Sequence, residues 1–424
     1  MESRITQVFR ARLVVPVSQP AIEDGAVTVA DGQVRAVGRW CDLAPHLSAV
    51  PIDLGEVVIL PGLVNPHCHL DYSDMAGKIA PLPSFTAWIK SITALKALWT
   101  YADFATSWLN GARMLVRSGT TTVGDIEAVP ELLPEVWEAT PLRVFSFLEL
   151  TGVKSRAEPG RILEEAVARI EGLAPGRSRA WLSPHAPYST TPELLRLTGS
   201  LTRDRQWRVT THVAESAEEF DMFVHGRGPL NDWLARNERD MTDCGGVSPV
   251  AHLERQGLLG DNLLAVHANY LEPGDVALLA RRGVHVVHCP RSHAYFEHRP
   301  FPYHSLRREG VNVCLGTDSL ATVRNDGALC GQLDLFAEMR TFRGAFPGAS
   351  PGEVLELATI HGARALGLSG AVGELSAGSR ADLVVIPWSG PLQHAADAIT
   401  HHQGPVAGTM IDGRWIFSPG EVGP

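Results

Sequence analysis

The chain has 424 residues, 45% of them hydrophobic and 20% charged, a composition that excludes a disordered tail, a disulfide-stapled miniprotein and a collagen-like repeat and requires a substantial buried core. Its net charge of -10, from 37 Lys and Arg against 47 Asp and Glu, lacks the basic excess of a nucleic-acid binder, and no apolar run approaches the roughly 18 residues of a membrane span. Six cysteines, at 41, 68, 244, 289, 314 and 330, form no CxxC pair, and the first residues carry no secretory pattern, so a reduced, cytoplasmic protein is expected.

From residue 11 to 58, short apolar runs alternate with turn signals: Leu13 to Val15, Ala26 to Val29, a turn at Asp31-Gly32, Val34 to Val37, and Val57 to Leu60. That is a strand-and-hairpin pattern. Further on, β-branched runs alternate with helical spacing. Eight strands are predicted near 58–66, 120–126, 143–149, 180–185, 208–213, 263–268, 284–289 and 312–317, with helical patterns over 162–170, 192–201, 273–282 and 351–366. Eight such repeats imply a closed (β/α)8 TIM barrel in an α/β protein; an open doubly wound sheet is disfavoured because no GxGxxG or GxxxxGK[ST] loop follows the early strands. The end of the chain returns to strands at 381–386, 406–411 and, after Asp412-Gly413, 414–417. Residues 1–58 and 368–424 are therefore expected to build a composite β-sandwich beside a catalytic barrel of residues 59–367. Two stretches, 70–118 and 214–262, exceed a minimal βα unit and are expected over the catalytic end, where loops shape a pocket.

Chemistry in a barrel belongs at the C-terminal ends of the strands, and there the chain places Pro66-His67-Cys68-His69, Pro184-His185, Thr211-His212-Val213-Ala214-Glu215, Val266-His267, Val287-His288-Cys289 and Gly316-Thr317-Asp318. Strand alternation sends His67 and His69 to one face and Cys68 to the other, where packing is its expected role. Zinc takes imidazole nitrogens and carboxylate oxygens and keeps a position open in catalytic sites, so His67, His69, His212 and Asp318 form a candidate ligand set. A metal there lowers the pKa of a coordinated water to about 7 in the best cases. Glu215, three residues past His212, is close enough to shuttle a proton. Asp71 and Tyr72 follow the two histidines closely enough to reach substrate. His288 either contacts substrate or anchors the turn before Pro290, and His293, His298 and His304 suit solvated or loop-packing roles.

These segments, with Pro61-Gly62-Leu63-Val64-Asn65 before the first histidine, His288-Cys289-Pro290-Arg291-Ser292, and Leu315-Gly316-Thr317-Asp318-Ser319, strongly resemble the amidohydrolase superfamily, in its nucleobase-deaminase and triazine-hydrolase branch. The resemblance extends to the terminal β unit through Gly373-Glu374-Leu375 and Gly378-Ser379-Arg380-Ala381-Asp382-Leu383. Binuclear members bridge their metals with a carboxylated lysine on the third or fourth strand. Neither 145–150 nor 181–185 contains one, the nearest being Lys154, so the resemblance implies one divalent ion, zinc ahead of iron. It also implies that Glu215 moves protons between water and the departing amine, that Asp318 both ligates and accepts a proton, that His267 orients the attacking hydroxide, and that His185 bonds a ring nitrogen. Asp71, Trp88 and His288 are further expected substrate contacts. Trp88 lies in Ser84-Phe85-Thr86-Ala87-Trp88-Ile89, which is similar to aminodeoxyfutalosine deaminases, although those carry Glu at the position of Asp71; Ser292-His293 departs from the Ser-Asn of many purine deaminases. The implied activity is hydrolytic deamination of an amino-substituted N-heterocycle of aminodeoxyfutalosine or adenosine type. The alternative is hydrolysis of an amide, ureido or chloro substituent on another ring. A catalytically silent metal-binding scaffold is disfavoured because Glu215, His267 and Asp318 are all present. The expected partner is a small heterocyclic substrate, with no nucleic acid or membrane; homodimers are common among such proteins.

Overall fold

The β-branched runs of the central chain form eight parallel strands: β1 (Leu63–Cys68), β2 (Thr120–Glu127), β3 (Arg143–Leu150), β4 (Arg179–Pro184), β5 (Val209–Val213), β6 (Leu263–His267), β7 (His285–His288) and β8 (Asn312–Leu315). They hydrogen-bond in sequence order, and a parallel bridge between Cys68 and Asp318 joins first to last. The structure is a computed structural model describing residues 7–47, 49–82, 84–153, 158–174, 176–324 and 331–420; Lys154 and Cys330 lie outside them. The result is a (β/α)8 barrel. Among the described residues, no helix is long and apolar enough to cross a membrane, and the cysteines at 41, 68, 244, 289 and 314 are free.

Strand alternation divides the core in two. Val64, Ile126, Phe145, Phe147, Leu264, Val266, Val287 and Cys314 fill the barrel interior, whereas Val123, Val144, Leu148, Ala265, Val286 and Val313 pack outward beneath the helices. Both faces of each strand are buried, which is why these segments read as near-continuous apolar runs. The two long insertions are helical. The first carries a 3-10 turn, Leu70–Met75, and the helix Phe85–Lys96; the second carries Ala217–His225, Pro229–Arg236 and Pro249–Arg255. They are tied together by Glu218, whose carboxylate accepts from the backbone N–H of Phe85 (3.1 Å) and Thr86 (2.9 Å) and so caps the first helix from the second insertion.

Both ends of the chain build the other sheet. Its strands run in the order Arg414–Phe417, Gly408–Ile411, Leu383–Pro387, Val57–Pro61, Gln7–Val14, Ile22–Ala30 and Gln33–Arg39, with Ile52–Asp53 paired to Gln7–Val14. The hydrogen bonding is continuous, because Val57–Pro61 from the N-terminal part pairs antiparallel with Leu383–Pro387 from the C-terminal part. Asp31-Gly32 and Asp412-Gly413 all have positive φ, the backbone of two-residue hairpin turns.

Two expectations are corrected. The strand predicted over 58–66 is two strands: Val57–Pro61 joins the terminal sheet and Leu63–Cys68 opens the barrel. They meet at Gly62, where an added Cβ would lie 2.1 Å from Thr121 Oγ1, too close for any side chain. The helical pattern over 351–366 is likewise two helices, Pro351–Leu357 and Ile360–Ala365, parted at Thr359, whose ψ of -96° is non-helical.

Candidate active site

At the C-terminal rim of the barrel, His67, His69 and His212 bring ring nitrogens within 4.8 Å of one another, and His67, His267 and Asp318 form a second such group that shares His67. The four expected ligands therefore converge, and His267 stands in the same cluster. His69 Nε2 and His212 Nε2 are 3.3 Å apart; Asp318 Oδ1 lies 3.5 Å from His67 Nε2 and 3.6 Å from His69 Nε2. Two imidazole nitrogens at the usual zinc–nitrogen length of a tetrahedral ion stand about 3.3 Å apart. His212 is oriented by its other nitrogen, Nδ1, which donates to the His185 carbonyl oxygen at 2.7 Å and leaves Nε2 with a free lone pair. Both ring nitrogens of His67 and Nδ1 of His69 are buried without a hydrogen-bond partner. Buried polar atoms are rarely left so, and this donor set fits a divalent cation.

The electrostatics suit a ligand set. Burial lowers His69 to about 3 and pushes His212 well below its ordinary value, so both are neutral imidazoles. Burial raises Asp318, but His67, His267 and His69 outweigh it and hold the carboxylate well below the usual range. Asp318 Oδ2 also accepts from Thr322 Oγ1 at 3.3 Å.

Glu215 stands beside this cluster, Oε1 being 3.6 Å from His267 Nε2. Burial, then Asp318 and Glu219, push its carboxyl well above the ordinary value. Its backbone is fixed from two sides. Glu219 accepts from the N–H of Glu215 at 2.8 Å and of Ala214 at 3.0 Å, while Asn269 Nδ2 donates to the Glu215 carbonyl at 2.9 Å. His267 arrives by breaking the strand rule. Leu264 and Val266 face inward, so its own position would face outward, but a φ of 76° turns the chain and delivers the ring to the site. Ala214, Ala268 and Asp318 also have positive φ; such left-handed non-glycine residues cluster at functional sites.

The cluster opens into a cavity of about 320 Å³, at the lower end of small-molecule sites, lined by His69, His212, Glu215, His267 and Asp318 at its base and by residues of both insertions above. His185 and Trp88 line it, as expected. His185 Nδ1 pairs with Ser189 Oγ at 2.7 Å, and Trp88 stands edge-on to Phe296 with ring centroids 5.3 Å apart. Asp71 and His288, also expected to contact substrate, are not among the lining residues. After His69 the 3-10 turn directs Asp71 into a fully buried position near Asp125, and Tyr72 takes the cavity wall, stacked on His69 at 5.1 Å. His288 follows inward-facing Val287, so alternation sends it outward, where it stacks on Phe301 at 3.9 Å.

Among the lining residues that the sequence reading missed are Glu149, Lys96 and Trp233. Glu149 had a readable signal, since it lies two residues past inward-facing Phe147 at the end of β3. Burial pushes its carboxyl upward, but His185, Lys96 and His69 together hold it below the ordinary value. Lys96 and Trp233 belong to the insertions, where no strand periodicity marks the inward side.

A closed (β/α)8 barrel with a His-x-His pair, a third histidine and an aspartate converging at its rim defines a metal-dependent hydrolase. The chain belongs to the amidohydrolase family, whose model matches residues 58–416. It is 33% identical over 413 residues to a 5-methylthioadenosine/S-adenosylhomocysteine deaminase of Syntrophobacter fumaroxidans, covering 93% of this chain and 88% of that protein. It is 31% identical over 389 residues to a 5'-deoxyadenosine deaminase of Methanoregula boonei, covering 88% and 82%. Among solved structures, an adenosine deaminase from Xanthomonas campestris with bound zinc superposes with a TM-score of 0.83 at 25% identity, over 97% of this chain and 93% of that one.

Proposed function

We propose that the protein hydrolytically deaminates the adenine ring of a nucleoside, with zinc held by His67, His69, His212 and Asp318. The carrying observation is the buried, unpartnered imidazole set beside Glu215, opening into a cavity with aromatic walls. Zinc in this set supplies Lewis acidity and makes hydroxide available at neutral pH. Glu215 takes one proton from the attacking water and passes it to the ring nitrogen beside the attacked carbon, an uptake favoured by the burial that raises its carboxyl well above the ordinary value. Burial keeps His267 neutral, with its pKa lowered to about 3, and from 3.6 Å beyond Glu215 it hydrogen-bonds the incoming oxygen. Asp318, charged, takes the second proton from the hydroxyl on the tetrahedral carbon, and that proton goes to the amine, which leaves as ammonia as the carbonyl forms. His185 meets the ring from the cavity wall, and Tyr72 and Trp88 offer it aromatic faces.

Adenosine, 5'-deoxyadenosine, 5'-methylthioadenosine and S-adenosylhomocysteine, incubated with zinc-loaded protein, are expected to release ammonia in a chelator-sensitive reaction. Absence of ammonia from all four, with release of chloride or of an amide-derived amine from a substituted triazine, would instead favour the alternative hydrolase.

A further inference from the structure

Of the carboxylates lining the cavity, Glu215 and Asp318 lie among the metal-facing histidines, but Glu149 does not. Its nearest ionic neighbour, His185 Nε2, is 3.9 Å from Oε2, too far for a hydrogen bond, and no described residue donates one to it. The side chain is 13% exposed and lines the cavity. Lys96, also in the wall, favours its charged form. Desolvating a charged carboxylate without donors is costly, and a ligand that brings donors recovers that cost. The carboxylate is carried on a barrel strand, which fixes it more firmly than a loop would.

Position narrows the ligand. The His185 ring lies 4.8 Å from the His212 ring, and Glu149 lies a further 3.9 Å from His185. Glu149 thus neighbours His185 and stands outside the metal-facing set. A purine carries its sugar on the ring edge remote from the amino-bearing carbon, so when that carbon meets Glu215 the sugar is the part left to meet a carboxylate outside the metal-facing set. Two coplanar carboxylate oxygens match two adjacent hydroxyl donors.

We propose that Glu149 accepts both hydroxyls of a cis-vicinal diol on the substrate, so that the site selects ribonucleosides over free bases and over nucleosides lacking the 2'- or 3'-hydroxyl. This inference rests on the nucleoside-deaminase reading above. The test compares kcat/KM for adenosine and 2',3'-dideoxyadenosine in the wild type and in Glu149→Gln, with calorimetric binding of purine riboside and its 2',3'-dideoxy analogue, which carry no amino group, to the same zinc-loaded proteins. Metal content and melting temperature of the variant serve as controls on folding. The wild type is expected to prefer the diol by about 10- to 100-fold in both measurements, the range for hydrogen bonds to a charged group, and Glu149→Gln to lose most of that preference. Equal wild-type values for diol and dideoxy ligands, a preference that survives Glu149→Gln, or failure of purine riboside to bind would overturn it. Binding that prefers the diol while no nucleoside yields ammonia would leave Glu149 its role and remove the deaminase reading instead.

Discussion

The rim and the base of the barrel both bury charge, in opposite ways. At the base Arg143, near the start of β3, donates to Asp382 at 2.5 Å and to Asp412 at 2.6 Å, and Asp382 accepts in turn from the Asp412 N–H at 2.9 Å. Every group there has a partner from the same chain, and the cluster fastens the barrel to the terminal sheet. At the rim His67 keeps both ring nitrogens without a hydrogen bond, and His69 keeps one. Both ends desolvate polar groups, but only the base meets that cost with partners of its own. The unpartnered nitrogens of the rim fit a bound cation, and this contrast separates structural from functional burial more sharply than burial alone.

Removing the metal should break the rim most completely. Dialysis against a chelator is expected to reduce turnover to background and lower the melting temperature, and zinc to restore both; an apo protein that melts at the holo temperature would mean that the rim does not depend on the ion. Next in size, Glu215→Gln should lower kcat by about 10²- to 10⁴-fold with metal content by atomic absorption unchanged, because Glu215 is not among the ligands. At the base, Arg143→Met leaves the buried Asp382 carboxylate without its arginine. It should cost about 3 to 5 kcal/mol in denaturant unfolding without altering kcat, and a loss of turnover in the folded variant would show that the two ends are coupled. The smallest effect concerns protonation away from the rim. Burial, then Arg208, lower His285 to about 4, from an ordinary 6.5. Its neutral form accepts from Asn312 Nδ2 at 3.0 Å. A histidine depressed in the folded state stabilises fully above pH 6.5, and that contribution drains away as pH falls through about 4. Urea melts between pH 7 and 4, taken from the ordinary range of histidine, should therefore be less steep in pH for His285→Gln than for the wild type.

Legibility followed periodicity. The eight strands were readable because each alternates between an apolar interior and an apolar exterior, and the His-x-His pair and Asp318 stood out because strand ends are where barrels keep polar residues. The same rule, applied strictly, separates Glu149, inward beyond Phe147, from His288, outward beyond Val287. It fails at His267, whose positive φ no pattern of side chains announces, and it stops at Asp71, where the strand has given way to a 3-10 turn. Gly62 shows a further limit: an unbroken apolar run conceals the change of sheet, which is set by the approach of Thr121 from β2.

The pairing of Val57–Pro61 with Leu383–Pro387 also orders events in time. While the chain is being made, the N-terminal strands have an open edge that nothing local can cover. Asn65 reaches Thr317 across 252 residues to help close the barrel, and Thr409 reaches back 293 residues to the Val116 carbonyl. The first closure waits for residue 317 and the second for residue 409, and contacts so distant along the chain make for slow folding. The molecule must therefore reach its native state largely after synthesis, with its first strands waiting for its last.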